Sequence, residues 1–473
     1  MTSLKQTACI LLLIFFGVIP TLGAEEAKSP NIILIMCDDL GYGDLKCYDS
    51  RSRINTPHLN QLASEGIRFT RFYSAAPVCS PTRGSCLTGR HPYRYGIYFA
   101  NTGHLPEQEL TIPELLKPLH YQSGHFGKWH LGTLTKTVED ANRGGPKGVK
   151  HFSTPSMHGF DESFVTESKV PTYDPMRSPI QANKNGWDAL TENSPSKFYG
   201  TRFWDHQLQE VETNLKGDTS RVVMDRVIPF IDNAIQAEQP FFATIWFHAP
   251  HLPVVASKRH VEAYQDLGSY DKNYYGCITA MDEQIGRLRA YLNKKTVDKN
   301  TIIWFCSDNG PEGSAGKAPG SAANLRGRKR SLYEGGVRVP GILVWPEHFS
   351  RKTVETPAVT SDILPTILDL LKLEYPSSRP LDGTSLTAVL SGDKSSRDFP
   401  IGFQSAKQMS WHEEEFKLYS PDQGKNWELY NLSTDPREST DISAKHQKKA
   451  EQMKLRLLAW IDSCKASDGG KDY

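Results

Sequence analysis

The sequence carries almost no excess of charge of either sign. Its 473 residues include 55 Lys and Arg and 54 Asp and Glu, which gives a formal net charge of +1. A nucleic-acid-binding chain normally has a basic excess, so this balance argues against nucleic acid as a partner. Any anionic ligand must instead be held by a local cluster of basic side chains.

Long apolar runs are also scarce, and the one candidate lies at the N-terminus. Residues 8–19 are apolar, follow Lys5 and end at Pro20. This stretch is shorter than the ~20 residues that a membrane-spanning helix needs. Followed by small residues, it is typical of a secretory signal, with an uncleaved anchor as the alternative. We therefore predict a signal peptide over residues 1–23. The mature protein should be exported (periplasmic, secreted or in a lysosome-like compartment) and should have no membrane attachment.

Cysteine is too sparse for a dense disulfide framework. The sequence has eight cysteines, and Cys9 lies in the predicted signal peptide. Export permits disulfides, but the odd number that remains leaves at least one thiol unpaired. One of them begins the segment CSPTRGSCLTGR, and Cys79 could be half of a disulfide, a buried thiol, a metal ligand or a nucleophile. Spacing alone does not choose among these roles.

Apolar segments alternate with helical patterns along most of the chain. The segments NIILIMC, PFFATIWF, TIIWFC and VPGILVW predict buried strands, and helical spacing is found over 222–235, 274–292 and 362–371. Thr56 and Pro57 mark the start of a further helix. This alternation predicts an α/β fold with a large, mostly parallel sheet flanked by helices. We assign residues 24–394 to this catalytic domain and expect 133–215 to be mostly long loops over the site, where substrate selectivity would lie.

The composition changes after about residue 395. The segments FKLYS and NWELYNL indicate short strands, and an amphipathic helix follows. We predict a smaller C-terminal α+β unit over residues 395–473. One face of its helix should carry four apolar residues: Met453, Leu457, Leu458 and Ile461.

Polar side chains follow several of the predicted strands. These residues are Asp38, Asp39, His251, Asp308 and Asn309. Open α/β sheets bind ligands at the carboxyl ends of their strands, so we expect these residues to share a site. Three carboxylates and an amide suit a hard divalent cation, whereas zinc would prefer His or Cys. Helix capping by each pair is the alternative interpretation.

Basic residues occur in three further segments. Lys128 and His130 lie two residues apart in GKWHLG, which puts them on one face of an extended chain. Arg83 lies one turn after Cys79, and Pro81 indicates a helix that would begin just after Cys79. A basic run precedes a glycine turn and could be solvated surface; it consists of Arg326, Arg328, Lys329 and Arg330. A cation ringed by Lys, Arg and His suits a tetrahedral oxyanion ester such as a sulfate or phosphate ester.

With these motifs the sequence resembles the formylglycine-dependent sulfatases of the arylsulfatase type, within the alkaline-phosphatase-like superfamily. CSPTRGSCLTGR fits the pattern Cys-x-Pro-Ser/Thr-Arg followed by Thr-Gly-Arg. Other matching segments follow in the family's order over about residues 30–440: DDLGYGDLKCY, TPHLNQLASEGIRFTRFY, GKWHLG, HGFDESF, APH, SDNG, YEGGVRVP, DILPTILDL and ELYNLSTDP.

The resemblance implies a mechanism. Cys79 would be converted to formylglycine (3-oxoalanine) by a formylglycine-generating enzyme, and the hydrated aldehyde would attack sulfur and later expel sulfate. Arg83 would steady this group, and Lys128 and Lys329 would hold sulfate oxygens. His130 would promote the elimination, and His251 would protonate the leaving alcohol. One Ca²⁺ per chain would be bound by Asp38, Asp39, Asp308, Asn309 and the modified Cys79.

The resemblance also implies a substrate, a sulfated carbohydrate or a small aryl sulfate. Two alternatives stay open. A phosphodiester or phosphonate monoester hydrolase would use the same residues, and a sulfated-glycan-binding protein would have lost catalysis. The sequence departs from the family at Thr82, where Ser is commoner, and at Cys86, where a small residue is usual. A Cys79–Cys86 disulfide would block the modification, so we expect none. Tyr333, Glu334 and Arg338 are expected to be structural.

Overall fold

The computed structural model describes residues 28–473, so the predicted signal peptide lies outside the described residues. Its helices are α1 (Pro57–Glu65), α2 (Cys79–Thr88), α3 (Ile112–Leu116), α4 (Thr219–Gln236), α5 (Lys258–Val261), α6 (Ser269–Lys294), α7 (Glu334–Val337), α8 (Ile363–Leu370), α9 (Thr387–Ser391) and α10 (Gln447–Ala466). Its strands are β1 (Asn31–Cys37), β2 (Ile67–Tyr73), β3 (Gln122–Lys128), β4 (Glu162–Thr166), β5 (Arg177–Pro179), β6 (Ser196–Phe198), β7 (Phe203–Asp205), β8 (Glu210–Val211), β9 (Phe241–Trp246), β10 (Thr301–Ser307), β11 (Arg338–Val344), β12 (Lys352–Val354), β13 (Ala358–Val359), β14 (Ile401–Ser405), β15 (Gln408–Glu413), β16 (Phe416–Ser420) and β17 (Glu428–Asn431).

A mixed sheet of 11 strands forms the centre of the described chain. Its order is β12-β2-β11-β10-β1-β9-β3-β4-β7-β8, and β13 pairs with β2. The five strands β10, β1, β9, β3 and β4 are mutually parallel, whereas β11 and β7 run antiparallel to their neighbours. The predicted α/β fold with a mostly parallel sheet is therefore confirmed.

The central strand β1 is buried on both faces, as its unbroken apolar run predicts. Alternate residues point to opposite faces, so Ile33 packs in one core cluster and Leu34 in the other. Helices α1, α4 and α6 contribute to the first cluster, and α2, α3 and α8 to the second. This two-layer cover fixes the register of β1 and brings its polar C-terminal end to one edge of the sheet.

The segment 133–215 consists mostly of loops, as predicted, but it also contains five short strands. It contributes β4, β7 and β8 to the main sheet and a separate two-stranded ribbon, β5-β6. These strands are two to five residues long, which is too short to leave a clear apolar pattern in the sequence. The rest of the segment is loop and two short 3-10 helices, and several of its residues line the cavity at the strand ends.

A second sheet follows at the C-terminal end. The antiparallel strands β14, β15, β16 and β17 pair in sequence order and pack against α10. Met453, Leu457 and Ile461 are buried, but Leu458 is 37% exposed, so its placement on the apolar face was wrong. Leu458 directly follows Leu457 and therefore lies about 100° further around the helix.

The C-terminal sheet is joined to the main domain by buried charges. The ammonium group of Lys417, on β16, lies 3.1 Å from Glu334 and 2.7 Å from Glu438. Glu334 begins α7 in the main domain. This buried cluster gives Glu334 a structural role, because removing either partner would leave an unpaired charge in the interior.

Among residues 28–473, no helix is both long enough and apolar enough to cross a bilayer.

Candidate active site

The polar ends of the central parallel strands meet at one edge of the sheet. A cavity of about 620 Å³ opens there, and its walls include Cys79, Lys128, His130, His251 and Lys329. These are five of the six predicted catalytic residues, and they come from segments that are far apart in sequence. The sixth, Arg83, is fully buried beside them.

Two of the predicted carboxylates follow β1 directly. The backbone N–H of Asp38 donates to the carbonyl oxygen of Ala249 (3.1 Å), which continues the parallel ladder. Asp39 then adopts a left-handed conformation with φ of +70°, so the chain turns sharply. Non-glycine residues rarely adopt this conformation, and it is found disproportionately at functional sites. The two buried carboxylates therefore lie together at the end of β1.

Asp308 and Asn309 follow the neighbouring strand, β10. Oδ1 of Asp308 accepts a hydrogen bond from the backbone N–H of Asp39 (3.1 Å). The side-chain amide of Asn309 donates to Oδ1 of Asp39 (2.7 Å). Burial, together with the charge of Asp38, raises the pKa of Asp308 to about 7. The predicted acidic set is thus assembled from two adjacent parallel strands.

Cys79 is the first residue of α2, with Val78 at the N-cap position. The helix therefore begins one residue earlier than the position of Pro81 predicts. Its Sγ lies 3.3 Å from Oδ1 of Asp38. Burial, followed by the charges of Asp308 and Asp38, raises the pKa of this thiol well above its ordinary value. An unmodified Cys79 would thus stay protonated and would be a poor nucleophile.

Arg83 lies one turn further along α2, on the same side of the helix. Its guanidinium contacts Asp308 at 2.7 Å and Asp38 at 3.5 Å. It also stacks over the ring of Trp246, 5.1 Å from the ring centroid. Arg83 therefore bridges the carboxylates of the two strands and supplies one of the positive charges that they require.

The two lysines predicted to hold sulfate both contact the carboxylates. The ammonium of Lys128 lies 2.6 Å from Oδ2 of Asp38, and that of Lys329 lies 2.5 Å from Oδ1 of Asp39. Burial opposes ionisation of Asp38, but Lys128, with help from His251 and Arg83, holds its pKa well below the ordinary value. Both lysine side chains are almost completely buried yet reach the cavity.

Within the basic run, Lys329 is the residue that pairs with a carboxylate at the end of β1, although Arg330 also lines the cavity. Arg326 donates to the hydroxyl of Tyr430 (2.9 Å), and Arg328 to the carbonyl oxygen of Glu312 (2.8 Å). Arg330 is exposed and pairs with the side chain of Glu312 at 2.7 Å. Lys329 is therefore buried and paired with Asp39, whereas the three arginines of the run bind other groups.

His130 reaches the cavity from a turn after β3. Its φ is +60°, so the expected extended geometry of Lys128 and His130 is wrong, although both side chains reach the cavity. Nε2 of His130 donates to Oδ1 of Asn101 (2.9 Å), and its buried Nδ1 has no hydrogen-bond partner within residues 28–473. Burial, followed by the charges of Lys128 and Arg83, holds the pKa of His130 well below its ordinary value.

His251 approaches the carboxylates from the segment after β9. Its Nδ1 donates to the carbonyl oxygen of Leu252 (2.7 Å), and its Nε2 lies 3.7 Å from Oδ2 of Asp39. Burial lowers the pKa of His251 to about 4. The neutral ring therefore presents the unprotonated Nε2 toward the carboxylates and the cavity.

The donor atoms fit a divalent cation. Single ligand atoms of Asp38, Asp39, Cys79 and His251 lie within 4.8 Å of one another. Oδ2 of Asp39 and Oδ1 of Asn309 are buried and accept no hydrogen bond from any described residue. Unpartnered buried oxygens are costly unless a cation or a hydrogen bond satisfies them. Asp308 is not in this group; its oxygens accept hydrogen bonds from Asp39 and Arg83.

Several cavity residues were not identified from the sequence. Asn101, which orients His130, lies in a segment with no apolar pattern or motif. Asn142 donates to Asn101 (3.2 Å) and to Ser168 (3.0 Å), and Lys169 lines the wall beside them. Three of these residues belong to 133–215, for which we expected a role in selectivity but had no signal for individual positions.

Every cysteine within residues 28–473 is a free thiol. Cys79 and Cys86 both lie in α2 and make no disulfide.

Comparisons with known proteins identify the family of the chain. The profile of the family described as Sulfatase matches residues 30–373, and that described as N-sulphoglucosamine sulphohydrolase, C-terminal, matches residues 327–462. N-acetylgalactosamine-6-sulfatase of Rattus norvegicus is 33% identical over 399 residues, which cover 80% of this chain and 69% of the relative. Steryl-sulfatase of Rattus norvegicus is 30% identical over 438 residues, covering 81% and 74%.

A solved structure also shares the fold of this chain. The crystal structure of Ps i-CgsB in complex with k-i-k-neocarrahexaose superposes with a TM-score of 0.78 and 27% identity, over 92% of this chain and 93% of that one. The fold and the site define a hydrolase of the alkaline-phosphatase-like superfamily. More narrowly, the chain belongs to the sulfatase family and is a sulfuric ester hydrolase.

Proposed function

We propose that the protein releases inorganic sulfate from a sulfated carbohydrate, with a formylglycine formed at Cys79 as the nucleophile and one bound Ca²⁺. The observation that carries this proposal is the position of Cys79. It begins a helix at the floor of a cavity and lies 3.3 Å from Asp38, among Lys128, Lys329 and Arg83. A protonated thiol at this position has no evident use, whereas its oxidised derivative would be well placed.

The modified side chain would supply, as a hydrated aldehyde, one hydroxyl to attack sulfur and a second whose deprotonation expels sulfate. A thiolate in the same place would form a covalent intermediate with no comparable exit. This chemistry requires a formylglycine-generating enzyme as a partner during maturation. It also agrees with the free state of Cys79 and Cys86.

The cation would be held by the oxygens of Asp38, Asp39, Asp308 and Asn309 together with the modified Cys79. When bound, it would polarise a sulfate oxygen and lower the energy of the charge that develops in the transition state. The unpartnered oxygens of Asp39 and Asn309 support this assignment. A donor set made of oxygens favours Ca²⁺, which tolerates irregular geometry.

Lys128, which is paired with Asp38, and Lys329, which is paired with Asp39, would orient the sulfate and neutralise its charge. Their ion pairs with Asp38 and Asp39 are short, so a cation at these carboxylates would compete for the same oxygens. Arg83, held by Asp308, would keep the floor of the site rigid. Preorganised charges of this kind stabilise a transition state without further reorganisation.

The two histidines would move protons. His130 is held by Asn101 at Nε2, which leaves Nδ1 as the base for the elimination step. His251 would protonate the leaving alcohol, and its Nε2 already faces the cavity side of Asp39. The low pKa of each ring keeps it neutral at pH 7, so His251 would need to receive its proton within the complex.

The substrate class follows from the cavity and the relatives. An opening of about 620 Å³ accommodates a saccharide and exceeds what a simple aryl sulfate requires. Ps i-CgsB was crystallised with the oligosaccharide k-i-k-neocarrahexaose. Export, as the N-terminal residues predict, would expose the enzyme to extracellular, periplasmic or lysosomal glycans.

The proposal is tested by comparing kcat/KM for an aryl sulfate, the matching aryl phosphate and phosphonate esters, and a panel of sulfated mono- and polysaccharides. We expect sulfate esters to be hydrolysed fastest and sulfated saccharides to have the lower KM. A faster rate with the phosphorus esters would instead support the phosphodiester or phosphonate hydrolase. Binding of sulfated saccharides without hydrolysis of any ester would support the non-catalytic alternative.

A further inference from the structure

The side chain of Lys169 forms part of the cavity wall. It follows β4, which pairs in parallel with β3 so that Thr166 lies opposite Lys128. Beyond the strands, the backbone N–H of His130 donates to the carbonyl oxygen of Glu167 (3.1 Å). The carbonyl oxygen of Lys169 accepts from the hydroxyl of Thr201 (3.0 Å). These contacts fix the backbone of Lys169 beside the turn that carries His130.

Lys169 differs from the other buried or half-buried cations of the cavity in having no acidic partner. Lys128 and Lys329 are paired with Asp38 and Asp39, and Glu312 is paired with Arg330 and Lys329. Across residues 28–473, no side chain forms an ion pair or hydrogen bond with the ammonium of Lys169. Lys184 and Lys317, which are exposed on the outer part of the same cavity, likewise have none.

An unpaired ammonium in a half-buried position is costly. Burial, followed by the charges of Lys128 and Lys329, lowers the pKa of Lys169. Two cations already face the expected sulfate, so this third cation is not needed to bind a single sulfate group. A second anionic group on the ligand would remove the cost, because it would supply the missing counter-charge and a charge-assisted hydrogen bond.

We propose that Lys169 binds a second anionic group of the substrate, a sulfate or a carboxylate, on the sugar that carries the scissile sulfate or on its neighbour. The preferred substrate is therefore a polyanionic saccharide that carries at least one negative charge besides the ester that is cleaved. Lys184 and Lys317 extend the positive surface outward along the same wall. This inference rests on the proposed function, because it concerns the same cavity and the same reaction.

The test uses the mature, modified enzyme and three saccharides with the same scissile sulfate: one with no other charge, one with a second sulfate and one with a carboxylate. The measured quantity is the ratio of kcat/KM for each dianionic substrate to that for the monosulfated one. We expect a ratio of about ten or more for the wild type, typical of one charge-assisted contact. The ratio should fall to about one in Lys169→Met and be largely retained in Lys169→Arg.

Lys197→Met is the matched control. Lys197 is an exposed lysine of the same 133–215 segment that does not line the cavity, so the ratio should equal that of the wild type. Preference for the second sulfate alone, or for the carboxylate alone, would identify the anionic group and support the inference. Equal ratios in the wild type and Lys169→Met would overturn it while leaving sulfate hydrolysis established. Failure to release sulfate from any ester would overturn the proposed function and this inference with it.

Discussion

Oδ1 of Asn101 lies 2.9 Å from Nε2 of His130 and accepts a hydrogen bond from it. Because the amide oxygen can only accept, this contact fixes the ring tautomer and leaves Nδ1 as the free base. Replacing Asn101 by Asp would put a carboxylate beside the ring and raise the pKa of His130. The acid limb of the kcat profile should therefore move to higher pH in Asn101→Asp, because His130 acts in the elimination step that follows loss of the alcohol.

The same contact predicts a different result for Asn101→Ala. The ring would lose its orientation but gain no charge, so kcat should fall by about tenfold or more without the shift in the acid limb. KM should change little, since the sulfate ligands are untouched. Pre-steady-state or steady-state kinetics over pH 5–9 would measure both variants. An unchanged profile in Asn101→Asp would contradict the assignment of Asn101 as the residue that positions His130.

Cys79 should be irreplaceable by other small residues. Both Cys79→Ala and Cys79→Ser should lose activity by several orders of magnitude, because neither side chain can be converted to the aldehyde by oxidation of a thiol. Mass spectrometry of the peptide that carries residue 79 should detect formylglycine in the active wild type. Cys86→Ala, seven residues along the same helix, is the control and should keep both the modification and most of the activity. An unmodified thiol in fully active protein would exclude the proposed mechanism.

Cation binding should stabilise the protein as well as activate it. Ca²⁺ added to chelator-treated protein should satisfy the unpartnered oxygens of Asp39 and Asn309, so the melting temperature should rise. A ligand at 100 times its Kd adds about 2.7 kcal/mol of stability. Asp39→Asn should abolish the rise in scanning calorimetry. Asp266→Asn, which removes an exposed partner of Arg53, should preserve it.

Lys329 should be the essential residue of the basic run. Its side chain is 4% exposed and lies 2.5 Å from Asp39, whereas Arg326 is 43% exposed and contacts the C-terminal unit. Lys329→Ala should lower kcat/KM by about 10²- to 10³-fold, as for the loss of one oxyanion-stabilising group. The kcat/KM of Arg326→Ala should stay within about threefold of the wild type, because the charge of an exposed arginine is screened by solvent. Comparable losses in the two variants would mean that the run acts as a general positive surface.

The stability of the fold should depend on pH through buried neutral histidines such as His158. Burial lowers the pKa of His158 to about 4, from ~6.5 in the unfolded chain. Below pH 6.5 the unfolded state binds a proton that the folded state does not, so this residue's contribution to the free energy of unfolding falls as the pH falls.

A variant comparison isolates that contribution. Between pH 7 and 5 the wild type should lose about 2 kcal/mol of stability relative to His158→Gln. Urea unfolding at the two pH values would measure this difference. A constant difference for His158→Gln would show that this ring is protonated equally in both states.

Local patterns in the sequence were enough to predict the central strands and the long helices. They also picked out the acidic and basic residues at the strand ends. Strand β1 could be predicted because a strand buried on both faces must be apolar throughout, and Asp38 and Asp39 stand out where that run stops. Helices α4 and α6 could be predicted because their buried faces repeat at helical spacing over several turns. The motif at Cys79 is similarly local, since it is contained in a single helix.

Tertiary structure alone decided several contacts within the site and the short strands beside it. The short strands β4, β7 and β8 leave no clear pattern, because two to five residues are too few for a period to be visible. The pairing of Lys329 with Asp39, and not of Arg328 or Arg330, depends on a loop packed against β1 and β10. Asn101 and Lys169 acquire their roles only from neighbours distant in sequence. Such contacts depend on the packing of separate segments, and no periodicity within one segment encodes them.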